Sequence, residues 1–123
     1  MIYTKLETLK LYGTTAGDGT LTVNASDSIL GELVAVQWID GTFADGVDAV
    51  ISCVGADLTV TLVTLTNADN DAMYYPLHVA QDNAGANLTG VYAKPILNGK
   101  PRLAVTSGGD TRAGGCILYF KRY

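Results

Sequence analysis

The 123 residues suffice for one modest core and not for two ordinary domains, and a hydrophobic fraction of 48% excludes an intrinsically disordered chain. Glycine and threonine, 14 of each, favour turns and half-buried pleated surfaces over helices. A formal net charge of −4 argues against general affinity for nucleic-acid phosphate or anionic lipid, so neither nucleic acid nor membrane is an expected partner.

The opening Met1-Ile2-Tyr3-Thr4-Lys5 has no basic segment followed by an apolar run, so no secretory leader is expected. Ile2, Leu6 and Leu9 would share one helical face, while Glu7, Leu9 and Leu11 alternate as in a strand; residues 1–12 are read as a first strand or an extended arm. Residues 21–23 form a short strand candidate. Residues 33–39 are apolar on both sides, with Val34, Val36 and Trp38 on one face and Leu33, Ala35, Gln37 and Ile39 on the other, as in a central strand. Asp40-Gly41 and Asp45-Gly46 are turn signals, after which Val47, Ala49, Ile51 and Cys53 share a face.

Leu58-Thr59-Val60-Thr61-Leu62 alternates apolar residues with threonine, the pattern of a strand with one wet face, and the phase slips at Leu62-Val63 as at a bulge or bend. Residues 66–71 are polar and read as a loop. Met73, Tyr75, Leu77 and Val79 then alternate with Tyr74, Pro76 and His78, and because proline donates no ladder bond this strand belongs at an edge or a bulge. After a turn over residues 81–85 the chain is loosely patterned up to Lys94. Asn98-Gly99 is a two-residue hairpin signal joining residues 94–97 to residues 102–105. The Gly-rich segment 107–115 reads as a flexible hairpin loop leading to a closing strand with Cys116, Leu118 and Phe120 on one face. Seven to nine short strands at regular turn spacing predict an all-β fold, an antiparallel β-sandwich or jelly roll, occupying residues 1–123 as a single domain.

Charge is unevenly divided along the chain. Before Lys94 two bases face eleven acids, a net of −9, and from Lys94 onward six bases face Asp110 alone, a net of +5. Either the two parts interleave on the folded surface, or opposite patches orient the protein against copies or a charged partner.

Chemistry-bearing groups are sparse. Cys53 and Cys116 lie in apolar alternating segments and are expected as reduced, inert core thiols, although one disulfide is conceivable from their number. His78 is the single histidine, expected on a solvated face, and it leaves no zinc set and no His-based catalytic constellation. Asp69-Asn70-Asp71 lacks the spaced acids of a calcium loop and reads as a turn. The paired glycines 108–109 and 114–115 are not followed by Gly-Lys-Ser/Thr, so no phosphate cradle is expected. Trp38 sits in the most apolar strand and is assigned to the core, with a glycan platform built on Trp38, Tyr74 or Tyr75 as the alternative. The expectation is a non-enzyme without cofactor or metal. Four of the seven tyrosines, Tyr3, Tyr12, Tyr119 and Tyr123, lie near the termini, where such rings either cover the sandwich's own ends or face a neighbouring subunit.

The run Leu33-Val34-Ala35-Val36-Gln37-Trp38-Ile39, the threonine-rich Leu58-Thr59-Val60-Thr61-Leu62 and the end of the chain over residues 96–120, with Asn98-Gly99, Gly108-Gly109 and the aromatic Tyr119-Phe120, resemble small virion proteins of tailed bacteriophages, among them capsid decoration (cement) proteins with jelly-roll-like folds. The resemblance implies a structural protein, made in the host cytoplasm, that joins the virion by binding the outside of the capsid. It implies a homo-oligomer, a trimer, whose partner is the major capsid protein. An N-terminal arm (Tyr3, Lys5, Leu6) and a basic tail (Lys121, Arg122, Tyr123) are the expected contacts. A phage tail or head-tail connector component and a carbohydrate-binding β-sandwich module are the alternatives.

Overall fold

The computed structural model describes residues 5–123, and it is an all-β antiparallel sandwich. Ten strands follow in chain order: β1 (Leu6–Thr14), β2 (Leu21–Asn24), β3 (Ile29–Ile39), β4 (Asp48–Val54), β5 (Thr59–Leu65), β6 (Ala72–Tyr74), β7 (His78–Gln81), β8 (Asn87–Ala93), β9 (Ile96–Thr106) and β10 (Ala113–Arg122). The described residues form no helix.

One layer is β1-β10-β3, continued beyond β3 by β6 and by the start of β9; the other is β2-β9-β4-β5. Between them lie Leu11, Leu33, Val36, Trp38, Cys116, Leu118 and Phe120 from the first layer and Ala49, Ile51, Cys53, Leu103 and Val105 from the second, all buried. Trp38 stacks on Phe43 at 5.6 Å between centroids, and its indole N–H donates to the Ala68 carbonyl at 2.9 Å, satisfying the one polar group the ring brings inside. The β4 and β10 faces match the alternation expected from the sequence. In β3 the alternation breaks: Tyr119 pairs with Ala35 and Phe120 with Leu33, leaving Val34 unpaired as a bulge. The bulge turns Leu33, rather than Val34, to the same interior as Val36 and Trp38. The predicted slip in β5 is a second bulge, since Ile51 pairs with Val63 and Ser52 with Thr61, skipping Leu62.

Asn98-Gly99 does not make the expected hairpin turn. Both residues lie inside β9, which pairs with β3 through Ile96–Gly99 and then with β4 from Lys100 to Thr106, so one strand passes from the first layer to the second. The turn preference of glycine is used here for a corner. Gly99 has φ of +141°, and a Cβ on it would collide with the Val54 carbonyl oxygen. Pro101 follows within the strand; its carbonyl accepts from Ala25 N–H at 2.8 Å just beyond the last β2–β9 pair, so the N–H it lacks falls where that ladder stops.

The Gly-rich segment after β9 is not a flexible hairpin loop either. It carries the chain from one layer to the other and is pinned by Thr15, whose buried hydroxyl donates to the Gly109 carbonyl at 2.6 Å and accepts from Arg112 N–H at 2.8 Å. Gly108 N–H donates to the Gly19 carbonyl, and the Gly108 carbonyl accepts from Ala44 N–H. Replacing Gly99 by alanine combines an unfavourable φ with a steric clash, and it is expected to destabilise by more than about 2 kcal/mol. Thermal unfolding of Gly99→Ala beside Gly46→Ala, a body position also at positive φ whose Cβ would meet nothing nearer than 3.9 Å, separates the clash from the φ cost.

Candidate functional site: a projecting hairpin arm and a polarised body

Proline 76 divides the strand expected over residues 73–79. β6 pairs with the edge of β3, Tyr74 opposite Val36, and the chain then leaves the body through Tyr75, Pro76 and Leu77. It returns at Pro95, whose carbonyl accepts from Leu33 N–H, and at Ile96, opposite Glu32. The excursion between these anchors is a hairpin of β7 and β8, paired with each other as a separate two-stranded sheet. Its tip is organised by Asp82, whose carboxylate accepts from the N–H groups of Ala84 and Ala86, and Gln81 Nε2 donates to Asn87 Oδ1.

The arm's apolar side chains are uncovered. Tyr75 is 68% exposed, Tyr92 60%, Leu77 58% and Val91 47%, and no side chain of β7 or β8 joins the core or packs against it. Val79 and Tyr92 stand opposite each other and share a face. An isolated two-stranded ribbon is marginally stable in water, and clustered exposed apolar groups of this kind mark a binding surface. The sequence pattern hides β8, because between the pairs Val79–Tyr92 and Gln81–Asn87 only Ala80 stands opposite Leu88, Thr89, Gly90 and Val91. That bulge, with Gly90 at φ of +73°, destroys the alternation that would have revealed the strand.

The predicted contact residues fall at one end of the body, apart from Tyr3, which lies outside the described residues. Lys5 is exposed just before β1, Leu6 stands opposite Lys121, and Tyr123 N–H donates to the Leu30 carbonyl. Arg122 pairs with Glu7 at 3.1 Å and lies over the Phe120 ring. Leu6, Leu30, Ile96 and Tyr123 add a half-exposed apolar rim around these bases.

The charge asymmetry of the sequence becomes a spatial one. At the end where β3 finishes and β10 begins, the loops gather Asp18, Asp40, Asp45, Asp48, Asp69, Asp71 and Asp110 against Arg112. In the opposite half stand Lys5, Lys94, Lys100, Arg102, Lys121 and Arg122 against Glu7, Asp27, Glu32 and Asp57. Asp69 accepts from Gly46 N–H and Asp71 from Asp40 N–H, so both tie loops together, as turn residues do. Asp40 Oδ1 is enclosed without a hydrogen-bond donor, and burial together with Asp69, Asp71 and Asp45 holds its carboxyl above the ordinary aspartate range.

Other candidates resolve simply. Cys53 and Cys116 are free and buried, and burial pushes the Cys116 thiol up to about 12, which leaves no thiolate at neutral pH. His78 is exposed, as expected. Trp38 is fully buried and cannot present a glycan platform; of the other two rings considered, Tyr74 packs against the core and Tyr75 is exposed at the root of the arm. Among the described residues no group of three or more His, Cys, Asp or Glu side chains is placed to hold a metal ion.

No protein-family model matches the sequence, and no curated protein matches it. Among solved structures, the crystal structure of the infectious bursal disease virus VP2 subviral particle is similar at a TM-score of 0.42 and 18% identity, over 96% of this chain and 32% of that one. This chain therefore spans about a third of the length of that one.

Val79→Ser and Tyr92→Ser in the arm are expected to change unfolding free energy by no more than about 0.5 kcal/mol, whereas Leu118→Ala in the core costs about 2–5 kcal/mol, as chemical denaturation would measure. A carboxyl whose folded pKa is raised favours the fold only while protonated and loses that contribution as pH rises through its titration. Asp40→Asn is accordingly expected to raise Tm by about 2–4 °C at pH 7, with the gain vanishing near pH 3, in paired thermal melts.

Proposed function

We propose that this chain is a structural virion protein of a tailed bacteriophage, without catalytic chemistry of its own, that binds the outside of the capsid and reinforces contacts between major capsid subunits. The observation that carries the reading is the arm: twenty residues held off the body with their apolar side chains uncovered form a surface that only other protein would complete. A junction of standard size buries about 1,200–2,000 Å² in all, more than a single flat strand face supplies, and an arm reaching beyond the body enlarges the area available.

The terminal cluster is the contact with the shell in this reading. Lys5, Lys121 and Arg122 supply positive charge, while Leu6 and Tyr123 supply apolar area beside it, a combination suited to an acidic-rimmed apolar groove. The acidic far end of the body would then be turned away from the lattice. The protein acts as a trimer, which places three such clusters around a lattice junction, each contributing buried area without any moving part. The sequence resemblance to decoration proteins supports the same assignment, and a tail or connector position would differ only in which particle fraction holds the protein.

The test is co-sedimentation of the purified protein with empty capsid shells, read beside the temperature at which the shells open. Saturable binding and a raised opening temperature are expected, with binding weakened at least tenfold by the double substitution Lys121→Glu and Tyr123→Asp. Wild-type protein that stays in the supernatant would remove the capsid reading.

A further inference from the structure

The first layer of the sandwich ends at β1, and among the described residues no strand pairs with this edge. Thr15 N–H donates to the Arg112 carbonyl in line with the β1–β10 ladder, which runs without a register shift from Leu6 to Thr14. Along a strand the N–H and C=O of one residue point the same way and reverse at the next, so those of Leu6, Thr8, Lys10 and Tyr12 turn away from β10 toward solvent. Edges of this length are usually guarded by charged side chains. Here the Lys10 ammonium lies over the ring of its exposed neighbour Tyr12, 4.7 Å from the centroid.

The arm leaves the same layer at its other side, beyond β3, three strand spacings or about 14 Å away. One chain thus carries an unpaired ribbon on one side of a sheet and an unpaired edge on the other. We propose that the β7–β8 arm of one copy adds to the β1 edge of a second copy, extending the sheet from subunit to subunit. Main-chain hydrogen bonds supply the affinity in such strand addition, and flanking side chains supply the selectivity. The cross-strand pair Val79 and Tyr92 would lie against the half-exposed Tyr12 that flanks the edge. Charge fits in the same sense, since the arm's carboxylate, Asp82, meets a strand bearing Lys10 beside Tyr12.

Donor and acceptor are different surfaces, so the contact is heterologous: it closes into a ring if the rotation between copies allows and otherwise grows as an open chain. A ring of three would be the trimer of the functional reading, and the inference rests on the self-associating part of that reading.

The experiment is a complementation of two broken copies, followed by light scattering after size exclusion. Val79→Asp combined with Tyr92→Asp spoils the arm, which contributes nothing to the core. Lys10→Pro removes one outward N–H without touching the ladder to β10, and Thr8→Pro does the same at a second site should the first fail to fold by circular dichroism. The wild-type chain is expected to be oligomeric and each variant monomeric at 12.9 kDa. An equimolar mixture of arm-broken and edge-broken chains should give a dimer of twice that mass and nothing larger, because each copy keeps one working surface. A monomeric wild type, or variants that remain oligomeric, would overturn strand addition. Shell binding is scored separately: oligomers that ignore shells would sink the capsid reading alone, and variants that still oligomerise on shells would sink this one alone.

Discussion

The architecture turns on the corner at Gly99. β9 belongs to both layers, and it can do so only because its backbone passes the Val54 carbonyl with no side chain between them. Everything downstream depends on that passage. It fixes which face of Leu103 and Val105 meets Ile51 and Ala49, and it delivers the Gly-rich segment to the end of the sandwich where Thr15 can hold it. The arm rejoins the body just before this corner, where Ile96 pairs with Glu32.

Two kinds of polar economy complete the body. Trp38, Thr15 and the loop aspartates each meet backbone groups that the strand ladders leave unpaired, so the ends of the sandwich are closed by side chain to main chain bonds and not by further secondary structure. The exception is Asp40, which keeps an enclosed oxygen without a donor among like charges. The acidic end is therefore held together at some electrostatic cost, consistent with a surface whose charge serves an external purpose or none, but not stability.

Much of this was legible in the sequence. Strict alternation identified the inward faces of β4 and β10, the phase slip at Leu62-Val63 identified the bulge of β5, and Pro76 announced an interruption, whereas the one-wet-face pattern of residues 58–62 is not observed, since Leu58 and Val60 are exposed with the threonines. What failed did so for physical reasons. Asn98-Gly99 satisfies a turn and a corner equally well, because both require a backbone without a Cβ at that point, and only the partner strand decides between them. Val34 looked inward by counting because a bulge leaves no mark in composition. β8 was invisible because its alternation is interrupted by four residues opposite one. Of the candidate contacts, the pairing of Leu6 with Lys121 and the Arg122–Glu7 bridge gathered the two termini into one place, which spacing along the chain could not have foretold.

The roots of the arm have a consequence of another kind. Pro76 interrupts the ladder on the way out and Pro95 stands where the chain rejoins β3, so the arm is joined to the body by two short stems and shares no packing with it. Its opening and closing are then a local equilibrium, separate from global unfolding, and amide exchange in β7 and β8 would run at its own rate. Substitutions there escape the selection that guards the core. Such a protein can exchange one set of neighbours for another across evolutionary time by rewriting about twenty residues, while the sandwich beneath them stays as it is.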